Sequence, residues 1–476
     1  MNLNQTLQEK YPHLEVSVLK LSEVKKNIDF RIDDSFWTMK LIYNNKLNYK
    51  KIGECLLKSQ YGISINMNEG GDGIPIYRMN DIDNMLCNFE VKKYALIDKN
   101  ELQTFRLNYG DVLFNRTNSY EFVGRTGIFY NNRENFVFAS YLVRLVCNKE
   151  ILLPEYLTVF LNTHIGKKEI RRRARPSINQ TNVNPEELKE IKIPIFPMEF
   201  QLEIQNLVKD SHKALEESKE LYKKAEETLY LELGLDPKNP LQSLLDSKTN
   251  NPTKSLNISI RTLKESFLKT GRLDSEYYQS KYEDIEKFIK SYPNGYDSFS
   301  NIINNKDTNF TPKNNENYSY IELANIGNNG NISEPISDLG KNLPTRARRI
   351  VSKGDVIISS IEGSLSSCAL ITQEFDKHLV STGFFVLNSK LLNGETLLVM
   401  FKSQIFQEYL KKFPSGTILC AINKEELSKI LIPKIDSTTQ EKIAKYIQES
   451  FNLRKKSKQL LDNAKNKVEE QIQGKT

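Results

Sequence analysis

Apolar and small residues recur in a four-three rhythm along residues 199–233, at Ile204, Val208, Ser211, Leu215, Ser218, Tyr222, Ala225 and Leu229. A seven-residue hydrophobic period keeps one narrow stripe on one helix face, which is the seam of a coiled coil. The rhythm returns 239 residues later at Ile443, Ile447, Ser450, Arg454, Ser457, Leu461, Ala464 and Val468, with Ile, Ser, Ser and Ala unchanged. Two long helices of common origin are therefore expected, over 199–235 and 437–476. A helix of 35 residues spans about 50 Å. Ile204, Val208, Leu215, Tyr222, Leu229, Ile443, Ile447, Leu461 and Val468 are the expected positions of helix pairing and partner docking.

The duplication extends upstream of each helix. Asn184, Glu186, Glu187, Leu188, Ile191, Ile193, Pro194 and Gln201 reappear as Asn423, Glu425, Glu426, Leu427, Ile430, Ile432, Pro433 and Gln440. Arg31-Ile32-Asp33 with Phe36-Trp37 is echoed by Arg272-Leu273-Asp274 with Tyr277-Tyr278. Alternating, strand-like runs recur in order: 74–82 with 319–326, a Gly-Asp turn into a strand at 110–116 with 354–360, and 139–145 with 382–387. The repeat unit is thus a whole domain plus its helix, with domains at 1–198 and at 236–436, the second including a linker rich in Asn, Pro, Ser and Lys over 236–257. Gly234 and Pro237 are placed to end the first helix. Ser437 and Gln440 have capping-box spacing at the start of the second, and a single helix is expected over 154–174.

The framework agrees between the copies while the loops beyond it, 115–125 and 359–366, do not. One scaffold presenting two different polar surfaces is the expectation. The net charge is +7; the two long helices, at −4 and +4, cancel and are electrostatically matched if they face each other. The positive excess lies in the globular parts and is compatible with a polyanionic partner. Its densest cluster is Lys167, Lys168, Arg171, Arg172, Arg173 and Arg175, more cations than a helix C-terminus needs. A polar loop with Asn179 and Gln180 follows. Arg, Asn and Gln read base edges, whereas Lys, Arg, Ser and Thr hold phosphates. The candidate DNA-binding set in the first domain is therefore Arg78, Asn115, Arg116, Asn118, Arg125, Lys167, Arg171, Arg172, Arg173, Arg175, Asn179 and Gln180. In the second it is Lys341, Arg346, Arg348, Arg349, Ser359, Ser360, Lys411 and Lys412. The four consecutive-region arginines, 171 to 175, are expected on phosphates.

Five cysteines and four histidines are scattered without zinc-ligand spacing, so no metal is expected. No phosphate-binding Gly-rich loop, base-holding Asn/Asp-Pro-Pro-Tyr/Phe tetrapeptide or nucleophile motif occurs. The chain reads as non-catalytic, and with no long apolar run and no signal-peptide layout it reads as cytoplasmic.

The paired Arg-x-Asp openings, residues 110–118 (GDVLFNRTN), the 139–142 segment, the 182–194 approach and both heptad helices together resemble the specificity subunit of a type I restriction-modification enzyme. The resemblance covers essentially the full chain. It implies an α+β fold of two tandem target-recognition domains, each followed by a long helix, the helices pairing as an antiparallel coiled coil with pseudo-two-fold symmetry. It also implies that each domain reads half of a bipartite site in double-stranded DNA and that the helices set the gap. Two methyltransferase subunits would dock on the helices and bring S-adenosylmethionine, with no cofactor on this chain, and a motor-nuclease subunit can join. One departure is that the second polar loop, 414–423, is one residue longer and more apolar than 176–184. The competing readings are a duplicated coiled-coil scaffold without DNA readout and the recognition subunit of a related bipartite-site methyltransferase that lacks a nuclease.

Overall fold

The computed structural model describes residues 3–474 except 15, 17, 40, 42, 89, 132–134, 247–259 and 417–419. Residues 247–257 of the expected linker, and 417–419 of the second polar loop, lie outside the described residues. Contacts divide the chain into Met1–Leu215 with Lys455–Thr476, and Glu216–Arg454. The division falls inside both long helices, Met198–Glu232 and Ser437–Gln473, rather than at their ends where the sequence places its domain boundaries.

In the first unit a six-stranded sheet runs in the order Leu56–Tyr61, Leu142–Cys147, Val112–Asn115, Thr126–Ile128, Leu86–Cys87, Ile82–Asp83. Helix Pro154–Asn162, buried at eight of its nine positions, covers one face. The expected helix over 154–174 is in fact two. The Thr163 hydroxyl accepts from Gly166 N and starts a second helix, His164–Arg173, and Phe160 O lies too close to Gly166 to admit any side chain there.

The second unit repeats the pattern with smaller sheets. Strand Val356–Ser359 lies between Phe384–Ser389 and Cys368–Leu370. The register is shared: Asn115 pairs with Leu142 and Ser359 with Phe384, and both strands are entered through a glycine at φ 88°, Gly110 and Gly354. A strand leading into each long helix pairs with one near the domain start, Pro194 opposite Tyr49 and Pro433 opposite Tyr296.

The repeated sequence signatures are structural ties. Arg31 makes a two-pronged pair with Asp33, both contacts 2.7 Å, and its Nη1 donates to Arg173 O at 2.9 Å. Arg272 does the same with Asp274, at 2.8 and 2.6 Å, and donates to Phe413 O and Pro414 O. Each guanidinium sits on an aromatic ring, Phe36 at 4.8 Å and Tyr277 at 4.5 Å. Gln201, 1% exposed, accepts from Leu153 N and donates to Ile151 O and Phe196 O. Gln440 likewise accepts from Asn393 N and donates to Leu391 O and Ile435 O. Gln440 is therefore not a capping-box partner. The cap of the second helix is Asp436, whose carboxylate accepts from Thr438 N and Thr439 N. At the end of the first helix Gly234, at φ 73°, turns the chain so that Leu235 N donates to Tyr230 O, closing it as expected.

The heptad positions are buried except Leu215 and Arg454, which are half-buried. In the first unit Ile204 and Val208 share a core with Leu461, Ala464 and Val468, with Leu215 packed against it. Ser211 and Ser457 hydroxyls meet at 2.8 Å, and Glu203 pairs with Lys467 at 2.7 Å. In the second unit Tyr222, Leu229, Ile443 and Ile447 lie in one core, Ser218 meets Ser450 at 3.0 Å, and Thr439 donates to Glu232. Within each unit rising numbers on one helix meet falling numbers on the other, so the pairing is antiparallel. The seam serines satisfy one another, which resolves how hydroxyls occupy core positions.

One carboxylate on the first helix is out of balance. Burial raises Glu226 to about 7, with Lys402 opposing the rise and Glu227 adding to it. A folded-state value above the unfolded 4.5 means that its favourable contribution is fully present below pH ~4.5 and is lost as pH rises through about 7. Glu226→Gln is expected to flatten this slope, gaining ~1–3 kcal/mol at pH 8 relative to wild type and little at pH 4.5. Denaturant titrations at the two pH values read it; a parallel offset at both would show that the carboxyl is not the titrating group. No helix among the described residues is long and apolar enough to cross a membrane.

Candidate nucleic-acid interface

Three short strands of the first unit, Arg175–Pro176, Thr181–Asn182 and Thr117–Asn118, form one small sheet. The register sets Asn118 opposite Thr181 and Arg175 opposite Asn182. The two stretches that the sequence singled out separately, 115–125 and 175–182, are thus brought together. The connecting turn closes with Ser177 N donating to Gln180 O at 2.7 Å, and it exposes Ile178 at 96%, Asn179 and Gln180.

Asn115 lies beneath this sheet. It is fully buried, its side chain accepting from Thr117 N and donating to Phe122 O, and its backbone bonds Arg125 O and Gly124 N. It shapes the 119–125 loop and does not face outward, a correction to its assignment as a DNA contact. The loop then presents Asn118, Tyr120, Phe122 and Arg125. Arg125 lies 4.1 Å over the Phe122 ring and Arg171 is 5.8 Å from the Tyr120 ring.

The basic cluster separates into inward and outward members. Arg173 is 6% exposed, bonded to Glu169 and 3.8 Å from Glu187. Arg172 donates to Phe36 O at 2.7 Å and stacks on the Phe36 ring at 4.3 Å. Arg175 pairs with Asp29 and lies 3.9 Å from Glu187. These three are held by internal partners, against the expectation that all four arginines are free to meet phosphates; of the four only Arg171 has no such partner among the described residues. Among the described residues Arg171, Arg125 and Lys167 have no carboxylate within ion-pairing distance, though Glu469 acts on Lys167 from further away. Lys167 is lowered by burial first and then by Lys465, Arg171 and Arg125, with Glu469 opposing; Lys465 itself pairs with Asp462 at 2.7 Å. Lys465, on the second long helix, was absent from the sequence-based set because only the fold brings it to this patch. Tyr120 and Phe122 were absent too, since aromatic residues in a loop carry no pattern.

Arg78 and Arg116 stand apart from this patch and half-buried. Arg116 donates to Ser140 O at 3.4 Å over the Tyr61 ring, while Arg78 follows strand Ile74–Tyr77 with its amide held by Asp81 at 2.7 Å. Both leave Nε buried without a partner.

In the second unit the small sheet shrinks to two bridges, Ile361 with Ala421 and Ser415 with Ala421. Ser359 is 1% exposed and bonds Ser364, so like Asn115 it serves the interior, a second correction. Ser360 donates to Gly383 O, Arg349 to Phe384 O, and Arg346 O accepts from Thr382 N. These three converge on 382–384. Arg348 turns back to Thr345 O at 2.7 Å, and Lys341 is exposed beyond strand Ile336–Leu339. Lys411 pairs with Glu408 at 2.7 Å. Lys412 pairs with Glu286 and lies 5.0 Å over the Tyr277 ring, the counterpart of Arg172 on Phe36 and equally a framework contact.

Residues 64–227 match the family described as the type I restriction modification DNA specificity domain. A Methanocaldococcus jannaschii protein, provisionally named as the MjaX type I restriction enzyme specificity subunit, is 22% identical over 86% of this chain and 88% of its own length. The EcoKI type I restriction enzyme specificity subunit of Escherichia coli is 27% identical over 33% of this chain and 34% of its own. The crystal structure of a type I restriction-modification system S subunit from M. genitalium aligns over 90% of this chain and 96% of that one, at 14% identity and a TM-score of 0.42.

Proposed function

We propose, from the chain's similarity to type I restriction-modification specificity subunits, that its two domains each read one half of a bipartite site in double-stranded DNA. The observation that carries this reading is the outward patch of the first unit: Lys167, Arg171 and Arg125, none of them ion-paired among the described residues, beside Asn118 on one small sheet and Asn179 and Gln180 in its connecting turn. Cations place the backbone and amides read base edges. In the second unit the exposed Arg346 is the outward group at the corresponding place, with Arg349 and Ser360 holding the 382–384 segment behind it. A shared framework with different outward loops supports independent reading by each domain. The antiparallel long helices set the unspecified gap and offer the docking surface for methyltransferase subunits, which supply S-adenosylmethionine and the chemistry; a motor-nuclease subunit completes a restricting complex. This chain contributes specificity.

Neutralising Lys167 and Arg171 together is expected to weaken binding to every duplex alike and to reduce the salt slope by about one to two. Asn118→Ala or Gln180→Ala is expected instead to relax one half-site, at about 1–3 kcal/mol of discrimination. Fluorescence anisotropy on specific and scrambled duplexes at several salt concentrations separates the two effects. A flat salt dependence in the wild-type chain would favour the scaffold reading.

A further inference from the structure

At the far end of strand Val112–Asn115 from the recognition loops, the first unit holds a cavity of about 890 Å³. Lys58, Lys99, Arg106, Arg144 and Lys149 line it, against one carboxylate, Asp111. That carboxylate is already engaged, accepting from Asn108 N at 2.9 Å and facing Arg144 at 3.4 Å. Arg144 is itself an internal strut, 4% exposed and bonded to Arg106 O, Thr104 O and Gln60, with Nε left without a partner. Lys58, Lys99, Arg106 and Lys149 are exposed, and among the described residues none has a carboxylate within ion-pairing distance. Tyr109 also lines the cavity, half-exposed and tilted against Tyr130 at 4.8 Å between centroids.

The duplicated domain serves as an internal control. It keeps the framework at this place: the Gly-Asp turn, and the aspartate accepting from a backbone amide three residues upstream, Ser352 N to Asp355 at 2.8 Å. Strand pairing matches Lys58 to Asn304 and Arg144 to Val386, and the shared turn matches Arg106 to Ile350 and Tyr109 to Lys353. A single lysine, Lys306 at 2.8 Å, is enough to neutralise Asp355. The fold therefore does not require the ring of cations that the first domain carries. Like charges gathered around a concavity raise the local concentration of anions, and a volume of this size suits a small ligand while being too confined for a duplex.

We propose that this cavity binds a nucleoside polyphosphate, with Lys58, Lys99, Arg106 and Lys149 around the phosphates and Tyr109 offering a face to the base. Phosphates satisfy several ammonium and guanidinium groups at once, and an aromatic ring stacks on a base whatever its identity. The site is separate from the proposed DNA surface, so it stands or falls independently of the reading above.

Calorimetric titration of the purified full chain with ATP and, separately, with inorganic tripolyphosphate tests it. Both are expected to bind, more weakly as salt rises. Lys58→Ala with Arg106→Ala is expected to reduce affinity for both about tenfold or more, with duplex binding unchanged. Tyr109→Ala is expected to weaken ATP and spare tripolyphosphate. Absence of saturable ATP binding at millimolar concentration would overturn the proposal, as would binding indifferent to the double variant. Loss of duplex affinity in that variant would place the cavity on the DNA path instead, and preferential capture of polyglutamate would mark it as a seat for an acidic protein segment; either outcome overturns the nucleotide assignment.

Discussion

Arg173→Ala is expected to destabilise the first unit by about 3–5 kcal/mol, whereas Arg171→Ala, two residues away, changes stability by less than about 0.5 kcal/mol. Arg173 stands between two carboxylates, Glu169 and Glu187, each 1% exposed. Its Nη1 bonds the Glu169 carboxylate and, at 3.1 Å, the Glu169 carbonyl, and its Nε lies 3.8 Å from Glu187. Tyr43 donates to Glu169 from the other side. Removing the guanidinium leaves two buried carboxylates with only the half-exposed Arg175, 3.9 Å from Glu187, within ion-pairing distance among the described residues, and breaking a buried pair from one side costs far more than the pair contributes net. The loss should appear in the denaturation of the first unit alone. A stable Arg173→Ala chain with weakened, sequence-independent DNA binding would return this residue to the interface.

Inserting four helical residues after Leu215 and four more after Arg454 is expected to lengthen the gap between the two recognised half-sites by one or two base pairs while leaving both half-sites intact. Four residues add about 6 Å of rise, against about 3.4 Å per base pair. They rotate each seam by about 400°, a slip of some 40° past a full turn that coiled coils absorb. The insertion has to be made in both helices. Each helix contributes to the core of both units, so lengthening the first helix alone leaves its antiparallel partner a turn short and sets Ser218 out of register with Ser450. That single insertion is expected to lower thermal stability. Mapping methylated positions in cells that express the doubly extended chain with its methyltransferase reads the gap directly. An unchanged gap would leave the helices as a docking surface and nothing more.

The long helices and their seam were legible because a seven-residue rhythm is a periodic signal, and duplication displayed it twice: all of these positions but Leu215 and Arg454 are buried, down to the serines that face each other. Strand order and the glycine-led turns were legible for the same reason. What periodicity does not carry is the direction in which a charged side chain points. Arg171, Arg172, Arg173 and Arg175 are alike in composition, yet only Arg171 faces outward without a counter-charge, because Glu169, Glu187, Asp29 and the Phe36 ring, some 140 residues distant in sequence in the case of Asp29 and Phe36, come to meet the others. Asn115 and Ser359 were selected for their place after a strand and proved to be loop-shaping groups. The break at Thr163 was hidden because the apolar pattern continues through it; the signal was the Thr-His-Ile-Gly run, in which a capping hydroxyl precedes a glycine.

Outside their own Arg-x-Asp pairs and the Phe36 and Tyr277 rings, the hydrogen bonds of Arg31, Arg272, Gln201 and Gln440 end on main-chain groups: carbonyls of residues 173, 174, 413 and 414, and amides and carbonyls around 151–153, 196, 391–393 and 435. Every amino acid supplies those groups. These hydrogen bonds do not depend on side-chain identity in the body they hold, so a domain exchanged by recombination re-forms them provided that its core still packs against the helix. Under the function proposed above, new specificities would then arise by reassortment, one domain at a time.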